Sequence, residues 1–253
     1  MKLDILKPTF WKVIFYILSI LGLYSLTYRF IYGLGAASAM NDLFPWGLWT
    51  GFNKLGGIGL AAGGFVICAT VYVFNIQKYK PIIRPTVLIA FLGYLFFAIA
   101  LIMDLGLPWR IWHPIIMWNP RSVMFEVAWC VMLYMTVLIL EFSPVIFEKL
   151  KMEKAKKILH NITIPIVIAG VILSTLHQSS LGSLYLIVPT KLHPFWYSSV
   201  LPIYFFISSV GVGLAMIIFA SFLSYRAFGK ELRFDILNGI AKVAVVVYAV
   251  YLV

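Results

Sequence analysis

Along this 253-residue chain, long apolar blocks alternate with short polar ones, and the blocks lack the two-residue alternation of barrel strands. Each therefore reads as a helix that is apolar on all sides. We place membrane helices at about 11–32, 46–75, 85–107, 122–147, 158–177, 200–226 and 235–253. Each provides the roughly 20 residues needed to cross a ~30 Å hydrocarbon layer. Prolines mark the boundaries. Pro81 and Pro85 precede the third block, and Pro108, Pro114 and Pro120 separate it from the fourth. Pro144 and Pro165 fall within or beside spans, where neighbouring helices can satisfy the freed carbonyls.

Composition points the same way: 62% of residues are hydrophobic, 11% are charged, and the mean hydropathy is +0.98. A water-soluble core of this length cannot hide that much apolar surface. The predicted fold class is all-α: one polytopic transmembrane bundle over residues 1–253. A net charge of +11 would suit nucleic acid, but the cations sit in short clusters between apolar blocks, so no nucleic-acid partner is expected. Lys2, Lys7 and Lys12, followed by an apolar run ending near GAASA, superficially resemble a secretory leader. The run is too long for one, and we read it as a retained helix.

Counted by alternate loops, fourteen Lys and Arg residues lie on one side and five on the other. The first group runs from Lys2 through Lys78, Arg84 and the Lys149–Lys157 cluster to Arg233; the second is Arg29, Lys54, Arg110, Arg121 and Lys191. The N-terminus is therefore expected in the cytoplasm and the last span to end outside. Trp46, Trp49, Trp109, Trp112, Trp118, Trp129 and Trp196 gather toward the outer face, with only Trp11 toward the inner one. An aromatic belt would dress both interfaces, so the excess suits a partner protein or a ring-shaped ligand outside, while simple anchoring of outer helix ends accounts for several of them.

On that topology the polar residues converge near the outer interface. Asn41, Asp42 and Lys54 open the second span, and Asp104 closes the third. Arg121 and Glu126 open the fourth, and His177, Gln178, Ser179 and Ser180 close the fifth. Ionisable groups at membrane depth are costly and commonly face a cavity. Plainer readings stand beside this one: Asn41 or Asp42 as a helix cap, Arg121 and Glu126 as an ion pair, and the His177 segment as a wetted helix end. On the fourth span, Glu126, Cys130, Tyr134 and Glu141 occupy one stripe about 80° wide, as a proton path requires. Alternatively, Glu141 simply meets inner headgroups.

Cofactor ligands are not evident. His113 and His193 fall in outer loops, and His160 and His177 at opposite helix ends, so no histidine pair faces across the bundle for haem. Cys68 and Cys130 form neither a metal-ligand spacing nor a cluster motif. We expect no haem, iron–sulfur cluster or metal in this chain.

FPWGLWTGF, GLAAGGF, NPRSVMFEVAWCVMLY and STLHQSSLGSL together resemble the quinone-interacting membrane subunits of the NrfD/PsrC type, most closely the HybB-type subunit of periplasmic nickel–iron hydrogenases. The likeness runs from about residue 31 to 202. Members usually have about ten spans, so the resemblance implies a ten-helix fold of which two or three C-terminal helices are missing here. It also implies menaquinone or ubiquinone as substrate, a docked periplasmic ferredoxin-like iron–sulfur subunit, and a large catalytic subunit, nickel–iron hydrogenase or a related oxidoreductase. The location it implies is a bacterial or archaeal cytoplasmic membrane.

On this basis His177, Asp104 and Glu126 are the expected catalytic residues, and Asn41, Asp42, Trp46, Trp49, Arg121, Gln178 and Ser179 the expected quinone-binding ones. Glu126, Tyr134 and Glu141 form the expected proton path. A non-catalytic membrane anchor for a periplasmic redox complex is the alternative.

Overall fold

The computed structural model describes residues 9–41, 43–44, 47–190, 193–229 and 232–253, apart from the side chains of Thr50, Lys54 and Leu55. Among the described residues, six unbroken helices are long and apolar enough to cross a membrane. They are α1 (Phe10–Tyr32), α3 (Ile83–Asp104), α4 (Val123–Lys149), α6 (Thr163–Leu186), α7 (Leu201–Phe228) and α8 (Phe234–Leu252). The second block, α2 over residues 48–73, is helical but irregular, with π-helical turns at Phe52–Gly57 and Ala69–Val73. Six glycines between Gly51 and Gly64 weaken the regular helix there, and tertiary packing decides its shape.

The fifth block departs from expectation. A short amphipathic helix, α5 (Glu153–Asn161), ends at Ile162, and α6 then continues nine residues past His177. The expected end at residue 177 rested on the polarity of His-Gln-Ser-Ser. Gln178, Ser179 and Ser180 stay in the helix because their polar atoms find partners inside the protein. Ser179 Oγ donates to the carbonyls of Thr175 and Leu176, and Ser183 Oγ to that of Ser179.

Helix α2 runs through the middle of the bundle. Toward the tryptophan-rich end, its Ile58 and Ala61 pack with Tyr94 and Phe97 of α3, Leu138 of α4 and Leu181 of α6. Toward the basic end, Ile67 and Val71 pack with Val87, Val167, Leu214 and Ile240. Lipid is as apolar as these side chains, so close backbone approach, not hydrophobicity, selects the contacts. A Cβ on Gly63 would lie 2.5 Å from the Gly213 carbonyl oxygen, and one on Gly64 equally close to the Ala90 Cβ. We expect Gly213→Val to push α2 and α7 apart and cost about 3 kcal/mol; thermal unfolding in detergent measures this, and an unchanged midpoint would disprove the backbone contact.

Helix α1 stands apart. Arg29 is its one buried residue. The Arg29 Nε donates to the carbonyl of Met103 at 2.7 Å, and its Nη2 donates to that of Leu105. Read from the sequence as an outer-loop cation, Arg29 instead lies in the last turn of α1 and caps the end of α3.

Candidate functional site

Ser122 begins α4: its hydroxyl accepts from the Phe125 amide, which sets Glu126 in the first turn. There Glu126 Oε1 accepts a 2.6 Å hydrogen bond from the buried Ser180 Oγ of α6. The remainder of the Glu126 side chain is exposed.

One turn along α6 from Ser180 lies His177, wholly enclosed at 0% exposure. Its ring packs beside Tyr94 (5.8 Å between centroids) and Phe97 (6.4 Å). Neither ring nitrogen has a hydrogen-bond partner. Buried polar atoms are rarely left so, and each exception in a folded protein calls for a reason. The adjacent Gln178, also buried, donates from Nε2 to Tyr94 Oη at 3.4 Å. Tyr94 meets Tyr134 edge to face at 4.7 Å, and the buried Ser174 lies beside both.

Further along α4, Tyr134 and the half-buried Glu141 border Gly170 of α6; a Cβ there would lie 3.7 Å from Tyr134 Cε2 and from Glu141 Oε1. Glu141 in turn lines a cavity of about 580 Å³ at the basic end. Polar groups from α3, α4 and α6 thus form a column through the bundle, in which Tyr94 and Ser174 join the Glu126–Tyr134–Glu141 stripe read from the sequence.

Other expected residues lie elsewhere. Asn41 Oδ1 accepts from the amides of Leu43 and Phe44, which closes a loop turn; the cap position of α2 belongs to Gly47. Arg121 is exposed and forms no ion pair with Glu126. The Ser179 hydroxyl is committed to its own helix. Trp49 is exposed in the first turn of α2. Asp104 is the last residue of α3, half-buried between the two residues whose carbonyls Arg29 engages. Asp42 and Trp46 fall outside the described residues, as does the Lys54 side chain.

The sequence reading missed a second cavity, of about 560 Å³, at the tryptophan-rich end. Phe97, Leu101, Phe125 and Val131 form its walls, and Arg110 and His113 supply polar groups. Phe97 therefore separates this space from His177. The segment Trp109–Pro114, WRIWHP, carried the signal, because it places an arginine and a histidine among aromatics beside a membrane interface. A sequence cannot show that the loop folds back over α4, as it does when the Trp129 indole donates to the Pro114 carbonyl at 2.8 Å. Asn53, at the mouth of the second span, has its amide nitrogen buried without a partner in the first π turn of α2. Among the described residues, no three His, Cys, Asp or Glu side chains gather as a metal site.

Residues 36–253 match the family model described as polysulphide reductase, NrfD. The chain is 37% identical over 194 residues to the probable Ni/Fe-hydrogenase 2 b-type cytochrome subunit of Escherichia coli, covering 76% of this chain and 50% of that protein. It is 32% identical over 260 aligned positions to the menaquinone reductase integral membrane subunit of Nitratidesulfovibrio vulgaris, covering 98% and 61%. A further protein of that organism is 47% identical over 211 residues, covering 83% and 54%. The chain thus spans about half the length of the curated relatives it matches.

Proposed function

Because this chain belongs to the NrfD family of oxidoreductase membrane subunits, we propose that it binds quinone at its tryptophan-rich end and passes it electrons from a docked iron–sulfur subunit. The observation that carries the reading is His177: a polar ring sealed in the bundle, both nitrogens unpartnered, one turn from the Glu126–Ser180 hydrogen bond. A polar group kept there at the cost of its hydration is most simply held for a ligand or a proton.

Reduction of the ring to quinol takes two electrons from the partner and two protons from the protein. His177 and a carboxylate, Glu126 or Asp104, would hydrogen-bond the carbonyl oxygens and supply the protons once the Phe97 ring between His177 and the cavity rotates aside. The cavity beside Phe97 offers apolar space for the ring, with Arg110 and His113 within reach of its polar atoms. Trp49, Trp109, Trp118 and Trp196 are each more than half exposed, which suits a protein docking surface.

The positive-inside asymmetry supports a cytoplasmic basic end and a periplasmic tryptophan-rich end. Glu141 then opens to the cytoplasm through the basic-end cavity, and Tyr134, Ser174 and Tyr94 continue toward His177 and Glu126. With Glu141→Gln, we expect fewer protons drawn from the cytoplasmic side per electron pair in sealed vesicles. An unchanged stoichiometry would remove Glu141 from the path.

The name of the E. coli relative includes b-type cytochrome, whereas our reading of this chain is a haem-free subunit. It is supported by the histidines: His177 packs against Tyr94 and Phe97, while His113, His160 and His193 lie outside the long spans, so the four offer no facing pair. The reading is tested by purifying the chain with its soluble subunits and assaying reduction of a quinone analogue. A complex that assembles but never reacts with quinone would favour the anchor, for which double substitution of Asp42 and Glu126 is harmless.

A further inference from the structure

We propose that the basic-end cavity seats the phosphate of an anionic glycerophospholipid from the adjoining leaflet. The 580 Å³ space lies among α3, α4, α5 and α6. Glu153, Lys156, Lys157 and His160 recur on α5 at spacings of three, one and three, so they share one face, and all four line the cavity. Leu159, buried, anchors α5 to the bundle, as expected of an amphipathic helix lying in the interface. Arg84 of α3 adds a third cation to Lys156 and Lys157.

Three carboxylates stand near these cations. Glu148 takes one guanidinium nitrogen of Arg84 at 3.0 Å, Glu141 is half-buried within the cavity, and Glu153 stands at the first turn of α5. Lys156, Lys157 and His160 are engaged in no ion pair with them.

The apolar walls select a lipid over a soluble phosphate. Phe142 and Val145 line this cavity and also a neighbouring one of about 700 Å³, and Arg84 stands between the two. The second space continues along Leu88, Ile89 and Ile217 and carries a further cation, Arg233. A ligand matching both spaces has a phosphate at the Arg84–Lys156–Lys157–His160 rim and acyl chains along the α3–α4 wall. Basic pockets between helices at a membrane face hold anionic headgroups for this reason. The inference does not rest on quinone binding at the opposite end, although the lipid would share this cavity with the proton entry proposed at Glu141.

Native mass spectrometry of the full-length protein, delipidated and offered phosphatidylglycerol and phosphatidylcholine in equal amount, tests it. We expect phosphatidylglycerol to be retained in excess and K156Q/K157Q to weaken that retention about 25-fold, from about fivefold per lysine near a membrane surface. K156R/K157R should retain the lipid, showing that charge and not packing is lost. Millimolar inorganic phosphate should leave it bound. Equal retention of both lipids, full retention by K156Q/K157Q, or displacement by inorganic phosphate would each overturn the proposal.

Discussion

Glu126→Gln is expected to lower partner-driven quinone reduction by about 100-fold or more, the scale of a lost general acid, while the complex assembles normally. Glutamine keeps an oxygen where Glu126 Oε1 accepts from Ser180, so the 2.6 Å link between α4 and α6 has a neutral replacement. Only the proton is lost. Steady-state turnover with a quinone analogue, measured beside the yield of assembled complex, separates the two effects. Normal turnover would take Glu126 out of the mechanism, and failed assembly would make it a structural residue.

His177→Phe is the more demanding test, because packing and chemistry predict opposite signs. As a packing residue, His177 buries two nitrogens without hydrogen bonds, a penalty of about 1–3 kcal/mol that phenylalanine avoids and that offsets the crowding by its larger ring. Its neighbours Tyr94 and Phe97 are aromatic, so a third apolar ring fits the same surroundings. The variant should therefore unfold at the same temperature as the native protein or a higher one. If His177 hydrogen-bonds the quinone or carries its proton, activity should still fall about 100-fold. A stable, inactive variant supports the proposed role; a stable, fully active one refutes it.

Much of the architecture was legible because membrane spans announce themselves by length and composition. The boundaries of α3, α4, α7 and α8 fall within a few residues of the apolar blocks. The end of α6 did not, because hydropathy registers Gln178 and Ser180 as polar whether they face headgroups or another helix. Their partners, Tyr94 and Glu126, lie 84 and 54 residues away. The irregularity of α2 was hidden for a different reason. Each π turn departs from the 100° step on which a helical wheel depends, so the faces of Asn53 and Gly63 cannot be derived by counting. At the candidate site, the Glu126–Tyr134–Glu141 stripe was visible because all three residues share one regular helix. The column that joins it to His177 needs the tertiary contact of Tyr94 with Tyr134, which no local spacing encodes.

The single guanidinium holding α1 has a mechanical consequence. At 23 residues the helix is about 34 Å long, slightly more than a typical ~30 Å hydrocarbon layer. A helix slightly longer than the hydrocarbon layer and buried at one residue alone has room to lean with bilayer thickness. Since that residue is Arg29, on the carbonyls flanking Asp104, a thinner bilayer would apply its leverage at that carboxylate.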